Sequence, residues 1–358
     1  MKRASANKIA NQALETLMPL LSVLAALILG VFVLLILGKD PVEAYTAMFQ
    51  GAFGNVSGIT QTLVKATPLL LVGLGICIAF RGGVINIGGE GQLLVGAISG
   101  TTIGIVFNGL SAWALIPMCL FGGALAGAVW GGIPGALKAR LGVNEILSTV
   151  MMNAIALQFS NFLLGGPLMD PAEVERGTFL PESARIAKEA WLARLVPQTL
   201  LHTGAIIAVV MAILVYLLLW RTTIGYRIRA VGLNPDASRY AGINVPFYQA
   251  LSLTLGGAFA GLAGAVEIMG LHHKLLEGIS GGYGFSGIVA ALFGKLHPLG
   301  AIPASILFGG LLVGGDKMQR AVQVPSYLIM ALLGIVVLFV VSSDIWVRRR
   351  AQRRESSG

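Results

Sequence analysis

Few side chains in this sequence can do chemistry, and most of those that can lie inside otherwise apolar runs. The run RGGVINIGGEGQ at 81–92 sets Asn86, Glu90 and Gln92 among glycines. Read as helix, positions 86 and 90 are one turn apart and share a face. A carboxylate within a membrane span is costly and usually faces water or a partner. Glu90 therefore either lines a solute pathway or holds structure at the edge of its span, with Arg81 within reach. Glu267 poses a similar choice, because near the outer end of its run it can line a pathway or simply reach interfacial water. Farther on, Asn144, Glu145, Ser148, Thr149 and Asn153 occupy one half of a helical wheel, continued by Ser160. That face needs either a pathway or hydrogen bonds to another helix.

Absent chemistry bounds the function as firmly. No GxxxxGK[ST] occurs: the glycines at 310 and 315 are followed by Asp316 and Lys317. There is no HExxH, and His202, His272, His273 and His297 are scattered over loops and helix ends. The chain is expected to hydrolyse nothing itself and to hold no metal or cofactor. Cys77 and Cys119, far apart in apolar runs, read as buried thiols.

The elements that must position these groups are membrane helices. The 358 residues are 56% hydrophobic and 11% charged, with a mean hydropathy of +0.82; soluble domains carry about 25% charged residues. Ten spans follow from the apolar runs, at 17–37, 63–80, 84–107, 112–136, 144–164, 201–220, 247–270, 284–294, 299–314 and 327–346. The eighth is too short to cross alone and reads as a broken helix extended by its glycine-rich flank. The first reads as an uncleaved span rather than a signal peptide. This makes 1–16 a cytoplasmic segment, 17–346 the membrane domain and 347–358 a basic cytoplasmic tail. With both termini inside, 16 of the 25 basic residues are cytoplasmic, and the nine outside are balanced by nine acids. The net charge of +9 is thus a topology signal and implies no nucleic acid. Glycines at 123, 127, 131 and 135, and at 257/261 and 310/314, form stripes for close helix packing. An external loop at 165–200 is expected to hold a short surface helix near 182–195.

The cytoplasmic loop at 221–246 is the best punctuated part of the chain. Asn234 suits an N-cap, Pro235 the first helical position, Asp236 the positive helix end, and Gly242 a left-handed C-cap. A two-turn helix over 235–241 is predicted, either plainly juxtamembrane or a docking element for a soluble motor.

The pattern T-x-x-G-x-x-x-R-A-x-G-x-N-x-x-A, running through Thr222, Gly225, Arg229, Gly232, Asn234 and Ala237, resembles the coupling loop of bacterial ABC-importer permeases. The 81–92 run, GVNEILSTVMMN at 142–153 and GFSGIVAALFG at 284–294 with Pro298-Leu-Gly300 resemble the same group. The chain is thereby identified with the branched-chain amino acid, ribose and nucleoside permease superfamily, and is most similar to its nucleoside branch. The resemblance covers about residues 60–340. It implies a second permease, identical or homologous, a cytoplasmic ATPase carrying ATP and Mg2+, an external solute-binding protein, and residence in the bacterial inner membrane. It also implies a weak solute site with few charged contacts, since affinity resides in the binding protein. A nucleoside is the expected solute, with riboflavin or a simple sugar as alternatives. A proton-coupled carrier using Glu90 and Glu267 is the alternative from another class.

Overall fold

The computed structural model describes residues 24–25, 27–323 and 334–335. The 1–16 and 347–358 segments, the start of the first span and nearly all of the tenth lie outside the described residues. Among those described the protein is all-helical, with isolated bridges but no strand. The helices are α1 (Leu27–Ile36), α2 (Pro41–Phe53), α3 (Val56–Arg81), α4 (Gly89–Val106), α5 (Ala112–Leu141), α6 (Glu145–Leu164) and α7 (Pro171–Arg176). They continue with α8 (Gly204–Arg221), α9 (Thr223–Leu233), α10 (Pro235–Tyr240), α11 (Val245–Glu267), α12 (Tyr283–Phe293) and α13 (Pro298–Val322). Six of these, α3, α5, α6, α8, α11 with its π-helical extension to His272, and α13, are long and apolar enough to cross a membrane; α1 and α12 are short apolar helices. The protein is therefore multi-pass, although ten full spans are not reached among the described residues. The eighth run is the short helix expected, 11 residues long.

Residues 60–309 form one compact unit, and the described residues of 1–59 and 310–358 form another. The smaller unit packs Leu34, Ala44, Met318 and Val322 together with Tyr45 and Met48. Asp40 opens α2 as its N-cap, its carboxylate accepting from Val42 N at 2.8 Å. This 13-residue helix occupies what the hydropathy pattern leaves as a connection.

The core of the larger unit is a seam of glycines. Gly123, Gly127 and Gly131 on α5 face Gly257 and Gly261 on α11, and Gly96 on α4 faces Gly261. A Cβ on Gly257 would overlap the Gly127 carbonyl, and one on Gly96 would overlap Gly261. In lipid, helices associate through such van der Waals closeness rather than the hydrophobic effect. The stripes thus fix which helices touch.

Three expectations are corrected. Asn86 is not helical: 82–88 is an irregular loop and α4 starts at Gly89. Gly89 sits beside Val72, nine residues before Arg81 on α3, or about 13 Å up the bundle. The loop therefore turns back into the bundle instead of ending at its edge. No α-helix forms over 182–195. Main-chain bonds from Ser183 N to Leu275 O, Ile186 N to His273 O and Leu192 N to Met269 O hold it as a strap, with helix confined to α7 and a 3-10 turn at Lys188–Ala190. Burial of Ile186, Ala190 and Leu192 overrides local propensity there. The 221–246 loop contains two helices rather than one, because Thr222 caps a helix of its own.

Replacing Gly261 with Leu should drive a side chain into the Gly123 and Gly127 backbones. Overpacking costs about 1–3 kcal/mol even where side chains can yield, and backbone cannot. Detergent-extracted Gly261→Leu should lose its thermal transition or fail to accumulate. Gly109→Ala, with open space around Gly109, should melt as wild type does.

Candidate functional site

Inside the bundle the buried backbone groups of loop 82–88 need protein partners. Main chain of α3 serves Gly82, Gly83 and Val84, and polar residues of the 81–92 and 142–153 motifs serve Ile87 and Gly88. Asn86 and Gln92, each 1% exposed, join amide to amide: Asn86 Nδ2 donates to Gln92 Oε1 at 3.0 Å and Gln92 Nε2 to Asn86 Oδ1 at 3.2 Å. Asn86 Oδ1 also accepts from Gly88 N at 2.9 Å. From α6, Asn153 accepts from Gly91 N at 2.8 Å and donates to Ile87 O at 2.9 Å. Thr149 Oγ1 accepts from Ile87 N at 3.4 Å. Of the two roles open to this face of α6, hydrogen bonding between segments is the one its geometry displays. Asn144 is not part of the helical face. It is the N-cap, accepting from Ile146 N and Leu147 N, and Ser148 donates back to Asn144 O.

Glu90 joins this junction to α12. Its carboxylate accepts from Gly282 N at 3.1 Å and Gly284 N at 2.7 Å, neutralising the positive end of that half-length helix. Gly284 has room for no side chain, because its Cα lies against the Glu90 backbone. Tyr283 accepts a hydrogen bond from Lys65 Nζ at 2.8 Å. Lys65 lies within α3. The signal in the sequence is a single lysine within an apolar run.

Glu267 does not reach interfacial water, being 1% exposed. Its carboxylate lies 3.5 Å from His272 Nε2, and His202 packs against Gly270 on the following turn. The histidines at 202, 272 and 273 that look scattered in sequence thus gather under the strap. His273 stacks on Trp191 at 3.8 Å. Burial, assisted by Arg194 and Arg185, pushes its pKa down to about 4, so the stacked ring is neutral at pH 7. Among the described residues no group of three ligands is placed to hold a metal ion.

At the opposite end, each residue of the 222–242 pattern has a structural task. Thr222 Oγ1 caps α9 through Gly225 N at 3.1 Å. Gly225 lets α9 press on the Leu218 carbonyl, and Gly232 does the same on the Arg81 carbonyl. Arg229 donates to Leu219 O at 2.9 Å. Asn234 Oδ1 accepts from Ala237 N at 3.0 Å, Pro235 opens α10, and Asp236 lies in its first turn. Gly242 takes φ +78°, as the left-handed cap requires. Leu233 and Tyr240 are left 85% and 95% exposed. Beside them, Tyr226, Arg227, Gly242, Phe247 and Tyr248 line a cleft of about 560 Å³. The pattern gives no hint of Trp220. Both Arg81 and Arg229 place their guanidinium carbons 5.4 Å from its ring centre, and His297 packs on it at 4.8 Å. Arg81 also donates to Leu296 O at 3.2 Å. Trp220 thus joins α9, α3 and the turn between α12 and α13.

Residues 58–341 match the family model for the permease component of branched-chain amino acid transport systems. The guanosine ABC transporter permease NupP of Bacillus subtilis is 38% identical over 91% of this chain and 93% of its own length. The glucose ABC transporter permease TsgB13 of Haloferax volcanii is 36% identical, with coverages of 93% and 88%. The nucleoside ABC transporter permease NupB of Lactococcus lactis is 33% identical over 92% of each chain. More distantly, the chain is 29% identical to the guanosine permease NupQ of the same Bacillus and 30% to the nucleoside permease NupC of the same Lactococcus. The chain belongs to this permease family and is a permease subunit of an ABC importer.

Asn153→Leu should strand Gly91 N and Ile87 O inside the bundle, at about 1–3 kcal/mol for each group. The variant should lose its monodisperse gel-filtration peak after milder heating than wild type. Ser148→Ala, which removes only bonds within α6, should not.

Proposed function

We propose that this subunit passes a nucleoside inward across the bacterial cytoplasmic membrane. In this reading it works with a second permease, a cytoplasmic ATPase that binds ATP and Mg2+, and an external binding protein. The observation that carries the motor half is the α9–α10 pair. An isolated two-turn helix is marginal in water, yet α10 is capped at both ends, and the pair offers Leu233 at the end of α9 and Tyr240 at the end of α10 to solvent. Exposed apolar side chains on a rigid mount suit a partner that pushes. Closure of the ATPase would move α10, and the contacts through Trp220 would carry that motion toward α12. The arginine-rich end then faces the cytoplasm and the 165–200 strap faces outward, with both termini inside.

Two nucleoside-branch relatives above 30% identity support the solute class. A simple sugar is the second reading, favoured by the similarity to TsgB13; riboflavin ranks below both. Membership of an ABC family removes the need for a proton-coupled carrier.

Reconstituted with its ATPase and loaded binding protein, wild type should take up labelled guanosine in preference to glucose. The reverse preference would select the sugar reading, and uptake without any ATPase would overturn the motor. The Asn234→Ala/Gly242→Val pair removes a cap of about 1 kcal/mol and puts a β-branched residue at positive φ. Loaded binding protein should then no longer stimulate hydrolysis, while still docking. Full stimulation and uptake would show that the helix is not the link.

Orientation is checked with single cysteines at Glu175 and Asp236, both exposed, in a Cys77/Cys119-free background. An impermeant thiol reagent should label the first in intact cells and the second only after permeabilisation.

A further inference from the structure

Lys65 has no task in the coupling of motor to bundle. Its ammonium lies within α3, sixteen residues from Arg81, or about 24 Å along the helix. Among the described residues it makes one hydrogen bond, to the neutral Tyr283 hydroxyl, and lies 5.4 Å from that ring's centre. Among the same residues it has no carboxylate within ion-pair distance. Its partner Tyr283 is 4% exposed at the head of α12, so the ammonium is held against the bundle. Yet Lys65 remains partly exposed, as does Gln61 one turn earlier on the same face.

A charge so placed is expensive against lipid, and intramembrane charges face the bundle interior or a water-filled path. Lys65 keeps two N–H donors without protein partners among the described residues. Beside it the first turn of α12 is already saturated with negative charge by Glu90, so this spot does not attract an anion through the helix dipole. What it offers is a positioned donor held by Tyr283 to a neutral solute bearing hydrogen-bond acceptors. Resting on the nucleoside reading, we propose that Lys65, braced by Tyr283, is a solute-contacting residue of the translocation path, donating to the carbonyl and ring-nitrogen acceptors of a purine base. A single charged contact provides selectivity without the tight hold that would slow release.

The test uses the complete transporter in proteoliposomes with guanosine-loaded binding protein. Lys65→Met should cut guanosine uptake about tenfold or more while binding-protein-stimulated ATP hydrolysis stays within about twofold of wild type, which shows that assembly survives. Lys65→Arg should restore most of the uptake. Independently, Lys65→Cys in the Cys77/Cys119-free background should react with a small water-soluble methanethiosulfonate during turnover, and excess guanosine should slow that reaction. Wild-type uptake by Lys65→Met would overturn the proposal, as would a Lys65→Cys thiol that never reacts or that guanosine fails to protect. If wild type carries glucose and not guanosine, the nucleoside reading and the base contact both fall. Protection of the Lys65→Cys thiol by glucose would then still place position 65 in the path.

Discussion

A backbone amide inside a bilayer has no water to turn to, and the architecture follows from how one seven-residue loop meets that demand. Loop 82–88 turns back into the bundle: its first amides bond carbonyls of α3, and Asn86, Thr149 and Asn153 pair Ile87 and Gly88 at its far end. A helix would have satisfied itself; a re-entrant loop must borrow from α6. That borrowing brings α6 against the start of α4, puts Glu90 at the depth where α12 begins, and fixes where α12 can begin. The polar residues of the 81–92 and 142–153 motifs are thus two halves of one junction.

What could be read from the sequence was what is decided locally. The α10 helix was legible residue by residue, because Asn234, Pro235 and Gly242 each act within one turn of chain. The glycine stripes were legible too, since nothing else explains a four-residue repeat of the smallest side chain. The errors came where distant chain decides. Asn86 and Glu90 looked like helical neighbours because spacing cannot distinguish a helix from a loop whose partners lie sixty residues away on α6. The strap over 182–195 had helical composition, but its amides found carbonyls near residues 269–275 first. The Lys65–Tyr283 bond joins residues more than two hundred apart in sequence, beyond any local signal. Glu267 and three histidines needed the chain to fold before they could meet.

Trp220 ties three elements together at the α9 end of the larger unit. Two guanidinium groups on one indole are an attraction that neither the α9 pattern nor the α3 run advertises. Arg229 belongs to the helix that carries α10, and Arg81 precedes the re-entrant loop and donates to the turn after α12. The cluster thus holds α9 against the end of α3 and the turn after α12.

The glycine seam has a mechanical consequence. Helices that meet through side chains can slide, because rotamers change and methyl groups roll past one another. Helices that meet through main chain have no such bearing, and α4, α5 and α11 are locked carbonyl against Cα at Gly96, Gly127, Gly257 and Gly261. They must travel as a single block. Any transition between inward- and outward-open forms has to be taken up at its borders, where chain with room to swivel occurs. Gly281 and Gly282, both at positive φ ahead of α12, are such a border, and the Glu90 carboxylate ties it to the block through Gly282 and Gly284. Any relative movement of α12 would therefore have to work against that single carboxylate.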